Sequence, residues 1–122
     1  MISYITLGSN DLKTSAVFFD ALFGAINGTR AFSLDNMIGY SFGPEKPMII
    51  VTSPYDGEKA SCGNGTMVAL AAKDRDQVDT VHALALELGA TDEGAPGYRG
   101  ARFYGAYFRD PDGNKFNISL TC

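Results

Sequence analysis

The sequence has no tryptophan, a single histidine and only two cysteines, and each scarcity removes a class of chemistry. Cys62 stands in a glycine-rich stretch and Cys122 at the last position, with no CxxC or Cys/His spacing. Neither a zinc site nor a redox pair is therefore written locally, and both read as free thiols. With His82 as the sole imidazole, Ser/His/Asp and Cys/His catalysis depend on one residue. Apolar runs such as Met48 to Val51 fall far short of the roughly 20 residues that cross a bilayer. The first residues lack the basic and hydrophobic regions of a secretory signal. A cytoplasmic protein with no membrane partner is the expectation. Ten Lys and Arg against fourteen Asp and Glu give a formal charge of -4, and the cations are scattered, so nucleic acid is not an expected partner.

What is present suits one domain: 122 residues, 45% apolar and 20% charged, can bury an ordinary core. Ile2 to Leu7 reads as a strand, and Gly8-Ser9-Asn10-Asp11 as the capping turn of a helix beginning near Asp11. Leu12, Ala16, Phe19, Leu22 and Phe23 form its apolar stripe, and Gly24 is expected to stop it as a left-handed cap. Three extended segments follow, Thr29 to Ser33, Met37 to Phe42 and Pro47 to Thr52, separated by Asp35-Asn36 and by Gly43-Pro44-Glu45-Lys46. Pro54 to Gly65 is polar, glycine-containing and aperiodic, a linker.

The order then repeats. An apolar strand, Met67 to Ala72, is followed by Lys73-Asp74 as cap, a helix with Val78, Val81, Ala85 and Leu88 on one stripe, and Gly89. A constant shift of 63 residues pairs Met67 with Tyr4, Leu70 with Leu7, Asp74 with Asp11 and Val81 with Phe18, the mark of an internal repeat. Gly94-Ala95-Pro96-Gly97 reads as a loop, Phe103 to Arg109 as a strand, and Asp110-Pro111-Asp112-Gly113-Asn114 as a hairpin turn, because Pro presets φ while Gly and Asn tolerate positive φ. A last strand covers Lys115 to Leu120. The expected class is α+β: two βαβββ modules, about 1–53 and 66–122, joined by a linker at about 54–65. Their sheets would form a concave ligand trough with the helices on the outer face.

Gly63-Asn64-Gly65-Thr66, the run Gly89 to Gly97, and Phe108-Arg109-Asp110-Pro111-Asp112-Gly113-Asn114-Lys115 resemble segments of short glyoxalase and bleomycin-resistance-type proteins. Set before the last strand of a doubled βαβββ chain, the Asp-Pro-Asp-Gly-Asn turn makes nearly the whole chain resemble the vicinal oxygen chelate superfamily (glyoxalase, bleomycin resistance protein, dioxygenase). In metal-dependent relatives, a His in the first strand, a His in the first strand of the second module and a Glu in the last strand bind one divalent ion. Carried over by motif, those positions are Tyr4, Met67 and Asn117, so the resemblance implies vacated metal positions and no cofactor. Alternation agrees, since Ile5, Leu7, Val68, Leu70, Phe116 and Ile118 form the helix-facing set.

The expected trough lining is Tyr4, Thr6, Met67, Ala69, Asn117 and Ser119. Arg102 and Tyr104 join it from the segment Tyr98 to Tyr104, which offers an anion clamp or stacking surface if it is not ordinary loop packing. Tyr40 and Tyr107 lie in strands whose faces the sequence leaves open. His82, beside the helix stripe and away from the trough, suits packing better than ligation. Asp56, Glu58, Asp92 and Glu93 read as solvated loop carboxylates, although they sit where a loop could swing. The leading functional expectation is metal-independent binding of a small molecule, as in bleomycin-resistance-like sequestration. The alternatives are a glyoxalase-like lyase or dioxygenase with an atypical divalent metal site, and a non-catalytic interaction subunit. The resemblance also implies a homodimer.

Overall fold

The computed structural model describes residues 1–122. In order they form β1 (Tyr4–Gly8), α1 (Leu12–Gly24), β2 (Thr29–Ser33), β3 (Met37–Ser41), β4 (Met48–Thr52), β5 (Val68–Ala71), α2 (Arg75–Glu87), β6 (Thr91–Tyr98), β7 (Phe103–Arg109) and β8 (Lys115–Thr121). The chain divides into two compact units, Met1–Ser61 and Cys62–Cys122. Each is a βαβββ module with one open four-stranded sheet, ordered β1-β4-β3-β2 in the first unit and β5-β8-β7-β6 in the second. The first strand of each lies parallel to the last, and the remaining neighbours are antiparallel. Parallel neighbours need a crossover rather than a tight turn, and each helix lies within that crossover. The fold is α+β, as the sequence pattern implies.

Both helices start where the capping residues place them. Asp11 is extended and its carboxylate accepts from the backbone N–H of Lys13 and Thr14, while Asp74 accepts from Gln77. Each satisfies donors that a first turn leaves without intrahelical partners. The ends differ. Gly89 takes the expected left-handed backbone, φ +102°. Gly24 does not: it closes α1, a right-handed Ala25 follows it, and the left-handed residue is Asn27 at φ 65°. Asn is among the few residues that visit this region readily, so the reversal lies three residues beyond the glycine.

A second correction concerns β6. The stretch read as the loop Gly94 to Gly97 belongs to a strand spanning Thr91–Tyr98, paired with β7 through two register irregularities. Glycine and proline at such breaks do not interrupt a bulged edge strand, where unpaired positions are tolerated.

Packing explains which strand faces are dry. In the first unit Phe18, Phe19, Leu22 and Phe23 of α1 are buried with Leu7, Ile38, Tyr40, Ile49 and Val51. The Phe19 and Phe23 rings stack at 4.8 Å, and Phe23 meets Tyr40 and Phe42 edge-on at 5.1 Å each. Such pairs add about 0.5–1.5 kcal/mol beyond the area they bury. Gly28 makes room for this cluster, since a Cβ there would fall 2.7 Å from the Phe42 ring and 2.8 Å from Phe23 Cβ. In the second unit Val78, Val81, His82 and Ala85 of α2 are buried, as are Leu70, Ala106, Phe108, Phe116 and Ile118 of the sheet. Phe108 and Phe116 face each other across β7 and β8 with rings stacked at 5.5 Å.

Polar ties also fasten helix to sheet in both units. In the first unit the Asp20 carboxylate accepts Arg30 Nε and Nη2, both at 2.8 Å, and the Tyr40 hydroxyl at 2.8 Å. Tyr40, whose face the sequence left open, therefore belongs to the helix side. In the second unit His82 Nε2 lies 3.0 Å from Asp92 Oδ1, so the lone histidine braces α2 against β6. Hydrogen bonding from Arg30 holds the Asp20 carboxyl below its ordinary range, while burial and the Asp20 charge push the Tyr40 phenol above its own.

Asp20→Ala strands a buried hydroxyl, which costs about 1–3 kcal/mol; urea denaturation at neutral pH is expected to show a loss of that size. Because the Asp20 pKa is lower folded than unfolded, its contribution is complete above the unfolded carboxylate value near ~3.9 and is lost as pH falls through the folded value. The gap between wild type and Asp20→Ala should thus narrow below about pH 4, and a gap that widens there contradicts the assignment.

Candidate functional site

A helix covers only one face of each sheet, and alternate strand residues are left on the other. In the first unit the β1/β4 register pairs Tyr4 with Met48, Thr6 with Ile50 and Gly8 with Thr52, whereas Ile5 and Leu7 pair with the core residues Ile49 and Val51. Tyr4, at 55% exposure, and Thr6 lie on the helix-free face. In the second unit Ala69 pairs with Asn117 and Ala71 with Ser119, while Asn117 and Ser119 pair in turn with Tyr107 and Gly105. A Cβ built on Gly105 would meet Ser119 Cβ at 2.9 Å, Phe103 at 3.0 Å and Asn117 Nδ2 at 3.1 Å, which puts these groups on one face. Met67 directly precedes β5 and is 42% exposed.

Two expected lining residues do not join this face. Tyr104 has the strand phase of Ala106 and Phe108, and its hydroxyl donates to Asp79 of α2 at 2.7 Å, so it lies on the helix side. Its partner Tyr98, whose ring it meets edge-on at 5.0 Å, accepts from Arg75 Nη1. Arg102 donates through Nε to the Cys122 carbonyl, and its own carbonyl accepts from Cys122 N–H; it clasps the end of β8. The residue of this segment that does reach the open face is Arg99. Its Nη1 donates to the carbonyls of Gly97 and Gly105 and its Nη2 to that of Ala95, and its guanidinium carbon stands 5.4 Å from the Tyr107 ring centre. Tyr107, the other undecided tyrosine, is thereby on the helix-free side.

A concavity lies within the first unit. It has a volume of about 490 Å³ and opens beside Thr6, Gly8, Met37 and Thr52, under the loop that contains Tyr55, Asp56 and Lys59. This loop, most of the segment read as a linker, is held at both ends. Ser53 N–H donates to the Asn36 carbonyl at 2.9 Å, and Thr52 Oγ1 bonds the carbonyls of Asn36 and Ser53. At the far end Ala60 N–H donates to Asn10 Oδ1 at 2.8 Å, and Asn10 Nδ2 returns to the Ala60 carbonyl. Between them Asp56 accepts from Glu58 N–H. Gly8 is small for a reason: a Cβ there would stand 2.9 Å from Ala60 Cβ. Asp56, read as a solvated carboxylate, turns out to line the cleft.

A family model described as a glyoxalase-like domain matches residues 4–119. This chain belongs to the glyoxalase-like family of the vicinal oxygen chelate superfamily. Among solved structures it is similar to a glyoxalase/bleomycin resistance protein from Albidiferax ferrireducens T118, 36% identical, with 98% of this chain and 97% of that one covered and a TM-score of 0.89. A hypothetical protein from S. aureus is 26% identical over 98% and 96% of the two chains, TM-score 0.76. A lactoylglutathione lyase from Agrobacterium tumefaciens is 20% identical over 98% and 92%, TM-score 0.73, a likeness of fold alone. No curated protein matches the chain.

The positions that the motif resemblance carries over from the metal ligands of metal-dependent relatives hold a phenol, a thioether and a carboxamide. None is an imidazole, carboxylate or thiolate, the donors that divalent Zn, Ni, Mn and Fe take. Asn117 is further committed: at 1% exposure its Nδ2 donates to the Ala106 carbonyl, and its Oδ1 accepts from Ser119 Oγ. No three His, Cys, Asp or Glu side chains group as a replacement set. These residues do not fit the family's ion.

The cleft's roof depends on the Asn10–Ala60 pair. Asn10→Ala should leave the βαβββ core intact while raising amide hydrogen exchange in residues 54–61 at least severalfold. Unchanged protection in this loop would show that other contacts hold it.

Proposed function

We propose that this protein binds a small organic molecule without a divalent metal. The observation that carries the reading is chemical: at the three positions matched to the family's ligands stand Tyr4, Met67 and Asn117. Loss of partners that merely orient a metal ligand typically weakens metal binding about 10- to 100-fold, and here the donors themselves are different. Binding needs none of them. A cleft of about 490 Å³ lined by Thr6, Thr52 and Ser53 hydroxyls, Asn36, Met37 and Tyr55 has the size and mixed polarity of a small-molecule site. Methionine adds a contact that adapts to ligand shape. A cytoplasmic setting and pairing into a homodimer belong to the same proposal.

The test is metal analysis of untagged protein purified without chelator, before and after exposure to Zn, Ni, Mn and Fe(II). Far less than one ion per chain is expected throughout, together with thermal stabilisation by some uncharged aromatic compounds in the presence of chelator. One tightly held ion per chain overturns the proposal in favour of lyase or dioxygenase chemistry at an atypical site.

A further inference from the structure

The helix-free face of the second sheet concentrates positive charge in a protein whose net charge is -4. Arg109 of β7 and Lys115 of β8 are direct cross-strand partners, and like charges so placed repel. Arg109 is compensated by Glu93, 3.0 Å from its Nε, and by the Gly113 carbonyl. Lys115 has no such relief. It joins none of the ion pairs, and its Nζ stands 5.6 Å from the centre of the Tyr107 ring. Arg99 approaches the same ring to 5.4 Å and also pairs with no carboxylate.

The arrangement is built rather than incidental. Three backbone carbonyls fix the Arg99 guanidinium, and they occupy three of its five N–H donors, leaving two. Gly94 is what admits it: a Cβ there would lie 2.9 Å from Arg99 Nη2 and 3.1 Å from the Tyr107 ring. The Tyr107 hydroxyl makes no hydrogen bond, yet no buried side-chain oxygen or nitrogen lacks a partner, so that hydroxyl faces solvent. The carboxylate of Asp110, the residue after β7, is taken up within its own turn by Asn114 and by the backbone of Asp112. Two uncompensated cations, a spare phenol donor and a flat aromatic surface thus share one patch.

We propose that Arg99, Tyr107 and Lys115 form a binding site for a planar organic anion, an aromatic carboxylate being the simplest member of the class. The carboxylate lies against Lys115 Nζ, with the Tyr107 hydroxyl as second donor, and the ring stacks beside the guanidinium, whose planar surface favours such contacts. The site is independent of whether the protein takes a metal, since none of its groups occupies a position matched to the metal ligands.

The test is titration of the full chain with benzoate, followed by amide chemical shifts at Gly94, Gly105, Tyr107 and Asn117. Saturable shifts confined to this patch are expected, with Lys115→Gln weakening binding about fivefold or more, because a tenfold change corresponds to 1.4 kcal/mol, within reach of one charged hydrogen bond. Benzamide tests the charge and acetate the ring; both should bind distinctly more weakly. Tyr107→Phe, which keeps the ring, should weaken benzoate less than Lys115→Gln does. The proposal is overturned if benzoate produces no saturable shift, if benzamide or acetate matches it, or if Lys115→Gln, shown folded by its own amide spectrum, binds benzoate like wild type.

Discussion

One constraint organises both units: a four-stranded sheet is given a single helix, so it has one dry face and one face left to other uses. Strand alternation then sorts every residue of the strands. In the first unit it sends Leu7, Ile38, Tyr40, Ile49 and Val51 into the aromatic cluster of α1. In the second it sends Phe108, Phe116 and Ile118 toward α2. The parallel pairing of first and last strands, β1 with β4 and β5 with β8, ties the two ends of each module through the crossover that carries the helix. The opposite face is left free of that packing.

That logic explains what could be read from residues alone. Period-two alternation in Ile5, Leu7, Leu70, Phe116 and Ile118 and helical spacing in α1 and α2 are strong because burial enforces them. The repeat was visible for the same reason, since Asp11 and Asp74 perform the same capping task 63 residues apart. β6 was not legible because an edge strand with register breaks answers to its one neighbour and not to a core, so Gly94-Ala95-Pro96-Gly97 carries no hydrophobic period. Gly24 misled for a related reason: a glycine near a helix end marks permission for a left-handed residue, and Asn27 took the role instead.

The site was legible only where it follows strand phase. Tyr4, Thr6, Ala69, Asn117 and Ser119 lie on helix-free faces as alternation requires. Tyr104 departed from expectation although its phase, two residues before Ala106 and four before Phe108, already placed it with the helix. Proximity in sequence to two arginines had outweighed the pleat. Arg102 and Arg99 could not be separated in advance, because which arginine reaches the open face is decided by the Arg99 contacts to carbonyls of Ala95, Gly97 and Gly105, all made possible by the strand that sequence period did not reveal. The cleft under residues 53–61 depends on Asn10 and Asn36, polar side chains and backbone groups far apart in sequence, and such pairings leave no periodic trace.

Asn117 shows how fold and chemistry are coupled at a single residue. It is almost wholly buried, in the strand phase of Ser119, with both ends of its amide engaged. A carboxylate at that depth is tolerable when a cation compensates it and costs several kcal/mol when nothing does. With Tyr4 and Met67 at the other two matched positions, the donors that would recruit such a cation are missing, and a carboxylate at 117 would have no donor group to offer the Ala106 carbonyl. An amide resolves both difficulties, because it is neutral, donates to that carbonyl and accepts from Ser119. The three residues are therefore physically consistent with one another: with no imidazole at position 4 or 67, a neutral amide suits the buried position 117 better than a carboxylate would. Family membership fixes the scaffold in this protein, and the chemistry belongs to the residues left on the open faces.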